Sequence, residues 1–120
     1  MNINKYVTGS GINIFRINGK LISSNIENLK NSLDQAIEEP GCKIILNFRS
    51  VNIIDSAAVG LLIGRARMAR KNGGYFVFCE PQPAIHRLFS MVDVGKWLDI
   101  YSTEDEAIKV IESGAKREPE

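Results

Sequence analysis

The chain has 120 residues, of which 44% are hydrophobic and 24% charged, and its formal net charge is +1. That length suits one domain with a working core, and that composition excludes disorder over most of the chain. A charge so near zero supplies no field to hold a polyanion, which argues against nucleic acid or an anionic membrane surface as partner.

In chain order, Ile3 to Val7 is a weak strand candidate and Asn13 to Ile17 a stronger one, entered after Gly9-Ser10-Gly11 and closed by the turn pair Asn18-Gly19. Ser24 and Glu27 have capping-box spacing, and Ile26, Leu29, Leu33, Ala36 and Ile37 follow as a helical stripe that Pro40-Gly41 stops. Lys43 to Phe48 is a continuous apolar run, the pattern of a strand covered on both faces. Asp55-Ser56 then opens a long helical segment that ends at Asn72-Gly73-Gly74, and Tyr75 to Cys79 is another buried strand. Pro81 and Pro83 open a third helix, with Ile85, Leu88, Phe89 and Val92 on one stripe. Leu98 to Tyr101 is a short strand, and Thr103 with Glu106 forms a second capping box before Ala107, Ile108 and Ile111. Strands alternating with helices predict a layered α/β fold, in one domain over 1–113 with a polar tail over 114–120.

Cys42 and Cys79 each adjoin an apolar run and match no zinc or redox spacing, so buried thiols in a reducing compartment are expected. Met1 to Gly11 carries no basic-then-apolar leader, and no apolar stretch approaches the ~20 residues that span a bilayer. A cytoplasmic location without direct membrane insertion is the expectation.

The inventory for chemistry is thin. His86, next to Arg87 and one residue past a stripe position, reads as a solvated histidine. Neither cysteine has a histidine at a nucleophile's spacing, and the glycine pairs precede a strand or end a helix, so neither cradles phosphate. Glu38-Glu39 and Glu104-Asp105-Glu106 lie at helix ends, where dipole and solubility roles fit better than paired acid and base. Arg65, Arg67, Arg70 and Lys71 crowd the last turns of the long helix, where its negative end accounts for them; an anion site is the alternative. No enzyme activity, cofactor or metal is expected.

The informative segment runs from Ile54 to Gly64. Asp55 or Ser56 before an apolar run is an N-cap. At ~100° per residue, Val59, Leu62, Ile63 and Ala66 share the stripe facing the sheet, while Ala57, Gly60, Leu61, Gly64 and Met68 form an opposite side of small, uncharged residues. A helix apolar on both sides is doubly buried or presents a docking face. Gly60 and Gly64 each cost ~1 kcal/mol of helix propensity. Close approach by a partner is one reason to tolerate them, and close packing within the domain is the other. Phosphate on Ser56 would meet unpaired helical N–H groups and would place ~1.5–2 negative charges beside this neutral side.

On these residues the chain resembles the STAS domain family, and within it the stand-alone bacterial anti-sigma factor antagonists. The match runs from about Ile12 to Ile111 and is carried by KIILNF, VNIIDSAAVGLLIGRARMARKNGG, YFVFCEPQP and AIHRLFSMVDVGKWLDIY. The resemblance implies an α/β fold with a mixed sheet and helices packed on it, in a domain that binds an anti-sigma factor, often a serine kinase, and that phosphorylation of the serine after the aspartate turns off. Asp55 and Ser56 occupy those positions. Ala57 and Ala58 stand where the family pattern Asp-Ser-Ser-Gly-Leu-Gly has a second serine and a glycine, and Ile22 stands where it often has aspartate. The expected contact surface comprises Ile22, Ser23, Ser24, Asn25, Asp55, Ser56, Ala57, Gly60, Leu61 and Gly64. The alternative on the same fold is a scaffold subunit of a larger sensory or lipid-transport assembly, and a homo-oligomer is compatible with either.

Overall fold

The computed structural model describes residues 1–91 and 99–114. Within them the elements run β1 (Asn2–Val7), β2 (Asn13–Leu21), α1 (Glu27–Ile37), β3 (Lys43–Ile54), α2 (Ser56–Lys71), β4 (Tyr75–Cys79), α3 (Pro83–Met91), β5 (Asp99–Tyr101) and α4 (Glu104–Glu112). The expected stripe residue Val92, the strand residue Leu98 and the tail from Lys116 lie outside the described residues.

The strands form one mixed sheet in the order β1-β2-β3-β4-β5, with β1 antiparallel to β2 and every other pair parallel. The parallel crossovers bring the helices onto the faces, which explains the near-continuous apolar runs of β3 and β4. One face is buried by α1, α2 and α3. Its core includes Phe15, Leu46, Phe48 and Phe78 from the strands and Leu29, Leu33, Leu62, Ala66, Ile85 and Phe89 from the helices. The rings of Phe48, Phe78 and Phe89 lie 4.9–5.9 Å apart between centroids in tilted and edge-on pairs, geometries that aromatic quadrupoles favour. The other face is covered by α4, whose Ala107 and Ile111 pack on Ile12, Ile14, Ile45, Val77 and Cys79. Cys42 and Cys79 are free, buried thiols, as their apolar neighbours indicate.

Four local expectations are corrected. Asn18-Gly19 does not close β2, which continues to Leu21. Gly19, at φ +109, instead serves an irregularity in the β2–β3 ladder. The pairing steps from Arg16↔Asn47 to Asn18↔Ser50 and from Gly19↔Val51 to Lys20↔Ile53, so β3 gains a residue on β2 at each step. A glycine's left-handed freedom bends the ladder here where a turn was read. As a result Leu21 ends up opposite Ile54 and both strands finish at one place. The strand read over Lys43–Phe48 likewise runs on to Ile54.

Ser24 does not cap α1. The cap position falls to Ile26, without any side-chain capping bond, because Ile26 is needed in the core and Asn25 closes the preceding turn. The second capping box does form: the Thr103 side chain accepts from the Glu106 N–H at 3.1 Å, while the Glu106 carboxylate accepts from Ser102. Arg65 also departs from its expected role. It grips Asp34 of α1 through Nε at 2.8 Å and Nη2 at 3.2 Å, fastening the two helices to each other.

Gly74 is required by close approach. A Cβ there would run into the Cys42 carbonyl and Sγ. That contact lets Tyr75 N–H reach the Cys42 carbonyl at 2.7 Å as β4 begins.

Candidate partner-binding site

Two segments expected to act together are 32 residues apart in sequence, and the sheet brings them side by side. β2 and β3 are adjacent parallel strands, so the 22–26 turn after one and Asp55 after the other emerge at the same sheet end. Asp55 makes three bonds here, two of them across to the other segment. Its N–H donates to the Leu21 carbonyl at 3.2 Å, its Oδ2 accepts from Ser23 N–H at 2.9 Å, and its Oδ1 accepts from Ala58 N–H at 2.9 Å. The last bond is the N-cap that the sequence indicates. The N–H groups of Ser23 and then Ala58 hold the Asp55 carboxyl below the usual carboxylate range, since both bonds favour the anion.

The turn itself is closed by Asn25. Its Oδ1 accepts from Ile22 N–H at 3.1 Å, its Nδ2 donates to the Lys20 carbonyl at 3.0 Å, and its N–H donates to the Ile22 carbonyl at 3.0 Å. Ser23 and Ser24 are exposed at the tip, and Ile22 is half-buried, outside the core.

Ser56 is exposed at the first position of α2. Its N–H and that of Ala57 precede any intrahelical acceptor, so both face the region a group on the Ser56 hydroxyl would occupy. Ala57 and Gly60 are exposed, Gly64 is half-buried, and Met68 is 46% exposed. A Cβ added at Gly60 or Gly64 would meet nothing within 4 Å. Close packing within the domain is therefore not the reason for either glycine.

The two faces of α2 are less cleanly divided than periodicity predicts. The buried line is Ala58, Val59, Leu62, Ala66 and Ala69. Ile63, expected on it, is only half-buried, and Leu61, expected on the open side, is half-buried and packs partly on the core. The open side is thus centred on Ala57, Gly60 and Gly64, with Leu61 at its border.

A second polar cluster lies on the opposite face of the sheet, and sequence reading misses it. Glu104, in the first turn of α4, accepts from Arg16 Nη2 at 2.7 Å and Nε at 3.1 Å, from Asn47 Nδ2 at 2.8 Å and from the Tyr6 hydroxyl at 2.8 Å. Glu80, a non-glycine residue at φ +58, accepts from Glu104 N–H at 2.9 Å. Arg16, Asn47, Glu80 and Glu104 border an open cavity of about 250 Å³ that Arg49 and Ser50 also line. Bonding to the Arg16 guanidinium, with help from Asn47 and Tyr6, lowers the Glu104 carboxyl to about 2. A general acid works best with a pKa near the operating pH, so Glu104 is a fixed anion that anchors α4. Burial pushes the nearby Cys79 thiol up to about 12, which leaves it without nucleophilic thiolate. His86 is exposed, as expected. Among the described residues, no three His, Cys, Asp or Glu side chains are grouped to hold a metal, and no helix is long and apolar enough to cross a membrane.

Comparison with known proteins agrees with this fold. The STAS domain family model matches residues 3–107. An anti-sigma F factor antagonist of Paenibacillus polymyxa is 29% identical over 103 residues, which cover 85% of this chain and 88% of that protein. The anti-sigma factor antagonist SpoIIAA in its unphosphorylated form superposes with a TM-score of 0.76 at 26% identity, covering 97% of this chain and 100% of the other. The Bacillus cell fate determinant SpoIIAA in the phosphorylated form gives 0.72 at 27% identity, over 92% of this chain and 99% of the other. With a match running from β1 into α4 and the mixed sheet in common, the chain belongs to the STAS domain family, alongside its non-enzymatic anti-sigma factor antagonists.

Proposed function

We propose that this protein is a cytoplasmic anti-sigma factor antagonist that regulates transcription by binding an anti-sigma factor, and that phosphate on Ser56 weakens the complex. The contact surface is the turn Ile22, Ser23, Ser24 and Asn25 together with Asp55, Ser56, Ala57, Gly60, Leu61 and Gly64. The observation that carries the reading is the position of Ser56. Its hydroxyl is exposed at a helix start, beside an uncharged side on which Gly60 and Gly64 have open space. The relatives named above support the partner class, and solved SpoIIAA structures in both phosphorylation states support the switch.

The mechanism is electrostatic. Phosphate at Ser56 would find N–H donors and a favourable helix end, so the fold tolerates it. The same ~1.5–2 negative charges would border Ala57 and Gly60, where a partner packing closely would have to desolvate them. Modification therefore acts on association and spares stability. A partner able to place phosphate there would be a serine kinase. Ile22 extends the apolar part of the surface.

The test is affinity capture with the tagged chain from its native cell, followed by direct titration of the purified chain with the captured protein. The expected partner is an ATPase-type anti-sigma factor, whose affinity falls about tenfold or more for Ala57→Glu, as an unpaired charge in a packed contact requires. Recovery of a multi-subunit sensory or lipid-transport assembly in place of an anti-sigma factor overturns the reading.

A further inference from the structure

The two oxygens of the Asp55 carboxylate serve different elements. Oδ1 caps α2 through Ala58 N–H and Oδ2 holds Ser23 N–H, each at 2.9 Å. Capping alone does not call for aspartate, because serine and asparagine cap a helix about as well. A carboxylate has two acceptor oxygens set apart, whereas serine and asparagine have one, so holding these two donors on separate oxygens calls for aspartate or glutamate. Glutamate's longer stem is a poorer fit to an N-cap. The turn on the far end of the Ser23 bond is internally closed by the three hydrogen bonds of Asn25, so it moves as a unit.

We infer that Asp55 is a positioning residue whose second oxygen sets where the 22–25 turn stands relative to the start of α2. It ties the turn directly to the start of α2, in addition to the pairing of β2 with β3 and the Asp34–Arg65 pair between α1 and α2. Its side chain is thus committed to the fold's own N–H groups, and its contribution to binding is to fix Ser23 and its neighbours beside Ser56. The functional weight of this tie rests on the proposed contact surface; the tie itself does not.

The test uses amide hydrogen exchange, followed by NMR on the full chain without any partner. Asp55→Ser keeps a cap for Ala58 but has no second oxygen for Ser23. Ser23 N–H is expected to exchange at least about fivefold faster, as loss of one such bond implies, while Ala58 and Val59 stay within about twofold. In Asp55→Asn, with one acceptor oxygen, either Ser23 or Ala58 loses protection. Unchanged Ser23 exchange in Asp55→Ser, or wild-type protection of both amides in Asp55→Asn, overturns the inference. A titration of Asp55→Ser with the captured anti-sigma factor separates the two claims. Faster Ser23 exchange with unchanged affinity upholds the tie and removes the turn from the contact surface.

Discussion

Asn47 Nδ2 donates to Glu104 Oε2 at 2.8 Å, and that bond ties the centre of the sheet to the first turn of the helix on its far face. Asn47 is 8% exposed and Glu104 is nearly as enclosed, so loss of Glu104 would leave the Asn47 amide only a long contact of 3.5 Å to the Glu80 carboxylate. The Arg16 guanidinium and the Tyr6 hydroxyl complete the shell and bring β1 and β2 into the same cluster. The cluster therefore predicts stability, and a particular pH dependence of stability.

The Glu104 carboxyl is lowered from 4.5 to about 2. A depressed carboxylate contributes stability that is fully present above its unfolded value and is lost as pH falls through its folded value. Urea unfolding should show the wild type losing roughly 1–3 kcal/mol more than Glu104→Gln between about pH 5 and pH 2, with the half-exposed Arg16 partner holding the figure down. At pH 7, Glu104→Ala should cost about 1–3 kcal/mol, because the buried Asn47 amide then keeps only its 3.5 Å contact to Glu80. Parallel acid profiles for wild type and Glu104→Gln would show that the cluster contributes nothing through its charge.

Asp34 and Arg65 form a bidentate pair between α1 and α2, with side chains 38% and 20% exposed. At that exposure, solvent screens most of the attraction, and a double-mutant cycle on Asp34→Asn and Arg65→Gln should return a coupling of about 0.5–1 kcal/mol. Thermal melts at low and high salt measure it, and the coupling should shrink as salt rises.

Gly60→Ala and Gly64→Ala separate fold from function. The added methyl group meets no atom within 4 Å among the described residues, and alanine is the better helix former. Each variant should therefore raise stability by about 0.5–1 kcal/mol. If a partner packs against this side, the same methyl groups should weaken binding several-fold, so stability and affinity move in opposite directions. Stabilised variants that bind the anti-sigma factor as the wild type does would mean that the glycines serve no close approach.

The sequence made some of this legible and hid the rest for identifiable reasons. The cap at Asp55, the stripe Ile26–Ile37 and the capping box at Thr103 depend on neighbours within one or two helical turns, and periodicity reads them directly. Asn18-Gly19 misled because a positive φ is equally useful in a turn and in a bulged ladder, and the choice was made by the pairing of β2 with β3. Ser24 misled because an internally closed turn at Asn25 and the burial of Ile26 outweighed one capping bond. The Glu104 cluster gathers residues 6, 16, 47, 80 and 104, and no local pattern marks such a set. Of the proposed contact surface, the place of Ser56 at a helix start and the small side of α2 were legible. The bond from Asp55 to Ser23 was not, because it spans 32 residues and depends on two parallel strands ending together.

The most direct measurement is a calorimetric titration of the anti-sigma factor with wild type, Ser56→Ala and Ser56→Asp, beside melting curves of the three. The account expects Ser56→Ala to bind like the wild type and Ser56→Asp to lose about tenfold or more in affinity, roughly 1.4 kcal/mol, while all three melt within a few degrees of one another. Equal affinity for Ser56→Asp and wild type would contradict it.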